Sequence, residues 1–61
     1  MFSVGDLVKI MDDYRVYLIV ESNPDNQKCI IRYIHSKPKQ GKEREVDYSS
    51  LEFIDHLKIE G

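Results

Sequence analysis

Two runs of β-branched and aromatic residues, YRVYLIVE at residues 14–21 and KCIIRYIH at residues 28–35, flank the segment Asn23-Pro24-Asp25-Asn26. Proline presets φ for the second position of a turn, and Asn26 tolerates a left-handed conformation. Strand-forming runs on either side of such a turn read as a β-hairpin. In the first run Val16, Leu18 and Val20 share one face, and Tyr17 and Ile19 share the other. The expected inward face is that of Val16, Leu18 and Val20. Tyr17 and Ile19 are then outward, and two outward apolar residues on one strand mark a covered surface.

The rest of the chain continues in short apolar runs between turn signals, an all-β pattern. LVKIM at residues 7–11 follows the turn at Gly5-Asp6 and ends at Asp12-Asp13, with Val8 and Ile10 inward. Residues 36–42 contain Pro38 and Gly41 and read as a loop, and EREVD at residues 43–47 is a short strand with Val46 inward. The last stretch admits two readings. Ser49 and Glu52 have the spacing of a capping box, and Leu51, Ile54 and Leu57 recur every three residues, as in a helix over residues 50–60. Phe53 and Ile59 fall off that stripe. The preferred reading is one helical turn at residues 49–51 followed by a closing strand at about residues 52–58. The expected core is Val8, Ile10, Val16, Leu18, Val20, Ile31, Val46, Leu51 and Ile54.

Four or five short strands with one helical turn before the last describe a small barrel, in which closing the sheet removes its edges. At 61 residues the chain is a single domain, residues 1–61, and a domain this small buries only about 60% of its unfolded surface. It has no room for both a core and a deep catalytic cleft, so an enzyme is not expected. Apolar residues make up 41% of the chain, too many for a disordered one. No apolar run approaches the length of a membrane span, and MFSVGD lacks the basic and apolar regions of a secretory signal. Cys29 is the only cysteine, which fits a reducing, cytoplasmic setting, and beside Ile30 and Ile31 it reads as a small buried hydrophobe.

The order of motifs resembles the Tudor-like and KOW-like branch of the SH3-like small barrels. VGDLVKI opens the first strand, Ile31-Arg32-Tyr33 supplies the apolar-x-aromatic pattern of the third, and Val46 to Leu51 has the V-x-x-S-x-L form of the turn before the last. The resemblance covers about residues 2–56. It implies an all-β, five-stranded SH3-like (Tudor-like) barrel with one short helical turn before the last strand. It also implies binding rather than catalysis: methylated lysine or arginine in an aromatic cage, or RNA, ribosomal and polymerase surfaces. The cage positions would be Tyr14, Tyr17 and Tyr33, with Asp12 or Asp13 as the acidic neighbour. The chain has no tryptophan, and Ile34-His35-Ser36 stands where many Tudor domains carry aspartate-tyrosine-glycine.

The charge distribution is dipolar. From Lys28 to Arg44 there are six basic residues and one acid, and the remainder has three basic residues and ten acids. A protein of net charge -2 is a poor general binder of duplex DNA. Two readings of a binding site follow. A protein partner would meet Tyr14, Tyr17, Ile19 and Tyr33, with Asp12 and Asp13. RNA or single-stranded nucleic acid would meet Arg32, Lys37, Lys39, Lys42 and Arg44, with a tyrosine stacked on a base. The protein partner is preferred, and a homo-oligomer joined through the outward apolar face is a third reading. No catalytic or metal motif occurs: His35 and His56 are far apart, and Ser49-Ser50 reads as a cap rather than a nucleophile. No cofactor is expected.

Overall fold

The computed structural model describes residues 2–35 and 42–56. Five strands form one antiparallel sheet: β1 Asp6–Ile10, β2 Tyr17–Asn23, β3 Lys28–Tyr33, β4 Glu43–Asp47 and β5 Leu51–His56. A 3-10 turn at Tyr48–Ser50 joins the last two strands. The order across the sheet is β4-β3-β2-β1-β5, so the first strand lies inside and the last lies at an edge. Among the described residues no ladder joins β4 to β5. The all-β class, the hairpin, the β4 bounds and the turn-then-strand reading of the last segment agree with the sequence. The helix is excluded over Leu51–His56. The calls at Ser36 to Gly41 and beyond His56 lie outside the described residues.

Turn chemistry sets where the strands begin. Gly5 has φ 94°, a region that other residues enter at a cost, and its N–H donates to the Ile19 carbonyl at 3.0 Å. Asp12 (φ 71°) turns the chain after β1, and Asp13 N–H donates back to Ile10. In the hairpin turn the left-handed residue is Gln27 (φ 54°), not Asn26. Gln27 N–H donates to the Pro24 carbonyl, and the Gln27 carbonyl accepts from Tyr48 N–H at 2.8 Å. That second bond ties the hairpin turn to the 3-10 turn.

The inward face of β2 is the reverse of the one expected. Tyr17 is 5% exposed and Ile19 0%, whereas Val16, Leu18 and Val20 are half-buried. The reason lies in the pairing. Leu7 sits opposite Leu18 and Val8 opposite Tyr17, so the fully buried Val8 shares its face with Tyr17. Ile19 likewise sits opposite the buried Ile31. After Ile19 the register shifts: Glu21 faces Ile30, and Val20 is the extra residue of a β-bulge. The parity of β2 therefore changes along its length, and Ser22 joins the inward face opposite Cys29.

The core is Val8, Tyr17, Ile19, Cys29, Ile31 and Leu51, with Phe2, Ile10, Tyr33, Val46 and Tyr48 packed against it. Ile54, expected in the core, is 45% exposed. It is the extra residue of a second register shift, because Val8 pairs with Phe53 and Leu7 with Asp55. Cys29 is buried as expected. Burial raises its thiol pKa; a hydrogen bond with Ser22 offsets part of the rise, and Asp6 adds a little to it. Asp6 is also buried. Its Oδ2 accepts the Ser3 N–H at 2.8 Å, and its Oδ1 lies against His56 Nδ1.

Candidate functional site

The loop between β1 and β2 and the end of β3 come together because Tyr17 and Tyr33 are direct cross-strand partners. Their ring centroids are 5.9 Å apart. His35 meets the Tyr33 ring edge-on at 5.3 Å, and the Arg15 guanidinium lies 6.0 Å from its centroid, at the outer limit of a cation–π contact. Ile34 N–H donates to the Val16 carbonyl, which fixes the end of β3 beside the loop. Tyr14 projects from that loop at 88% exposure, the most exposed large apolar side chain among the described residues.

Asp13 organises the loop. Its Oδ1 accepts the Arg15 N–H at 2.9 Å and its Oδ2 accepts the Tyr17 hydroxyl at 2.9 Å. The Arg15 N–H holds its carboxyl below the ordinary value. Partial desolvation opposes this, and the Tyr17 hydroxyl, Arg15 and Arg44 add to the lowering. The buried Tyr17 therefore has its one polar atom satisfied at the rim, as buried tyrosines generally require.

The residues expected to meet a protein partner are divided by burial. Tyr14, Tyr33, Asp12 and Asp13 stay at the rim, half-buried or exposed. Tyr17 and Ile19 are core residues, so the outward apolar face assigned to them is corrected. Sequence reasoning missed Arg15 and His35, which complete the cluster. The Tyr-Arg dipeptide just after Asp12-Asp13 was the available signal for Arg15.

Of the basic set expected for nucleic acid, the two residues on strands, Arg32 and Arg44, lie on opposite faces of the sheet. Arg32 faces Leu18 and Glu43 across the sheet, while Arg44 sits opposite Ile31 on the other face. Lys42 is exposed before β4, and Lys37 and Lys39 lie outside the described residues. Lys28 pairs with Glu45 at 3.8 Å and Lys9 with Glu52 at 3.7 Å, both on the surface.

Two shallow depressions, each of about 290 Å³, lie elsewhere. One is at the hairpin end, around Ser22, Lys28 and Glu45, and the other is between Ile10, Ser50 and Val46. Among the described residues no three His, Cys, Asp or Glu side chains lie together as metal ligands, and no helix is long and apolar enough to cross a membrane. Comparison with protein-family models, with curated proteins and with solved structures gives no match.

Proposed function

We propose that the protein is a non-catalytic binding module of the SH3-like, Tudor-like kind that recognises a protein partner at the rim formed by Tyr14, Arg15, Tyr33 and His35. The barrel reading rests on three features: β1 lies between β2 and β5, a 3-10 turn precedes the last strand, and aromatic residues gather where the first loop meets the end of β3. The observation that carries the function is Tyr14, an aromatic ring left almost wholly in water next in sequence to Arg15, which lies 6.0 Å from the Tyr33 ring. Tyrosine and arginine are the residue types that dominate binding energy at protein interfaces. An Asp13 carboxylate pinned by two donors gives the loop a fixed shape before a partner arrives, which lowers the ordering cost of binding.

This rim differs from a methyl-lysine cage in one respect. The chain's own Arg15 already stands over Tyr33, and the Tyr17 ring is buried, so of the three cage tyrosines Tyr14 and Tyr33 alone offer surface to a ligand. A folded partner or peptide that packs on Tyr14 and stacks against Arg15 suits the site better than a lone methylammonium. The test is partner capture from cell extract with wild type and with Tyr14→Ala, followed by titration of the captured protein. Tyr14→Ala should leave the melting temperature unchanged and weaken binding on the order of tenfold or more. Equal binding by the two proteins would refute the rim. Capture that is steeply salt-dependent and sensitive to Lys42→Glu would favour the nucleic-acid reading instead.

A further inference from the structure

We propose that the outer edge of β5, unpaired among the described residues, is a second binding site, which takes up an extended peptide of alternating basic and apolar residues by strand addition. An edge strand directs every other N–H and C=O away from its single neighbour, and such groups can template another strand. β5 is the outer strand beside β1. It also exposes two large apolar side chains, Phe53 at 55% and Ile54 at 45%, whereas β4 at the opposite edge has only the half-buried Val46.

The two faces of this edge differ in chemistry. Phe53 sits opposite Val8, on the core side of the sheet. Glu52 sits opposite Lys9 and Asp55 opposite Leu7, on the outer side. The bulge at Ile54 puts the two acids on one face although they are three residues apart. A strand docked on β5 would lay its apolar residues along Phe53 and its lysines or arginines along Asp55 and along Glu52, whose carboxylate it would share with Lys9 at 3.7 Å. Period-two alternation supplies that pattern.

Charge also disfavours a second copy as the occupant in the fully overlapped registers. Antiparallel pairing of β5 with another β5 about the centre of the strand, between residues 53 and 54, brings Glu52 of each chain against Asp55 of the other. Pairing it with β4 brings them against Glu43, Glu45 and Asp47. Like charges directly opposite in a sheet are destabilising. The site shares no residue with the aromatic rim, and either reading can fail without the other.

The experiment is an amide-resolved NMR titration of the isotopically labelled protein with capped peptides of about eight residues, a length that spans the strand. One peptide alternates lysine and valine, a second has the same composition in two blocks, and a third is the alternating peptide N-methylated at every other residue. The alternating peptide should shift the amides of residues 52–56 and protect them from solvent exchange, and the other two should not. Glu52→Lys with Asp55→Lys should weaken its binding by about tenfold or more and allow an alternating glutamate–valine peptide to bind. Equal binding of the block or N-methylated peptide would overturn the proposal. So would shifts centred on Tyr14 and Tyr33, or a dimer in solution without peptide that Asp55→Lys dissociates. The exchange protection is read on the wild-type protein, so the result does not depend on the variant folding.

Discussion

His56 Nδ1 stands 2.5 Å from Asp6 Oδ1, and this contact fastens the end of the last strand to the start of the first. Asp6 is the buried member and His56 the half-exposed one. Burial alone would raise the Asp6 pKa. The hydrogen bond from His56, the Ser3 N–H and the nearby positive charge outweigh it, so the folded pKa lies below the ordinary carboxylate value. A depressed folded pKa means stability that is present above the unfolded value, about pH 4, and is lost as pH falls through the folded one. Urea titrations at stepped pH should show that loss in the wild type and a flatter acid limb in Asp6→Asn. At neutral pH Asp6→Ala should cost about 2–3 kcal/mol, the usual scale for removing hydrogen bonds to a buried charged group.

The facing of β2 can be tested by paired truncations. Ile19→Ala empties a fully buried site and should cost about 2–5 kcal/mol. A domain of this size holds only about 3–9 kcal/mol in total, so that variant should be largely unfolded at moderate temperature. Leu18→Ala removes a half-buried side chain from the other face and should cost distinctly less. Thermal melts of the two proteins decide the matter, and a reversed ranking would contradict the register.

Tyr17→Phe removes the hydroxyl that donates to Asp13 while keeping the buried ring. The Asp13 carboxyl should then titrate at a higher pH than in wild type, because one of the donors that lower its pKa is gone. It should remain below the ordinary value through the Arg15 N–H. Carboxyl-carbon NMR across an acid titration reads this directly, and an unmoved Asp13 would show that the hydroxyl bond is absent in solution.

Cys29 is 1% exposed and its thiol pKa is raised by burial. Thiolate is the reactive form, so a disulfide reagent should modify the folded protein far more slowly than the urea-unfolded chain. The labelling rate near neutral pH should follow the opening equilibrium of the sheet and rise in Ile19→Ala. Rapid modification of the folded wild type would argue against the burial of β3.

The hairpin, the EREVD strand and the turn before β5 were legible because each rests on local chemistry: a Pro-Asp turn, β-branched residues, and a serine pair after a strand. The facing of β2 was not legible. Its residues are apolar on both sides, so alternation carries no sign. The sign is set by Val8 and Ile31 on the neighbouring strands, which pair with Tyr17 and Ile19. The bulges at Val20 and Ile54 leave no mark in composition, and each breaks the period of two on which side-chain facing is read. In the candidate site, Tyr14 and Asp13 were found because loop aromatics and acids stand out. Arg15 and His35 were missed, since only the pairing of β2 with β3 brings them onto Tyr33.

The place of β1 in the sheet also bears on how the molecule is made. It is synthesised before the other four strands of the sheet, yet one of its two neighbours is β5, with Asp6 pairing to His56. The hairpin of β2 and β3 can form early, but the edge of β1 that pairs with β5 stays bare until Leu51–His56 has emerged. Non-local pairing of this kind slows folding and lengthens the exposure of unpaired strands. During synthesis the nascent protein therefore passes through a stage in which the backbone groups of β1 that face β5 await a partner not yet translated.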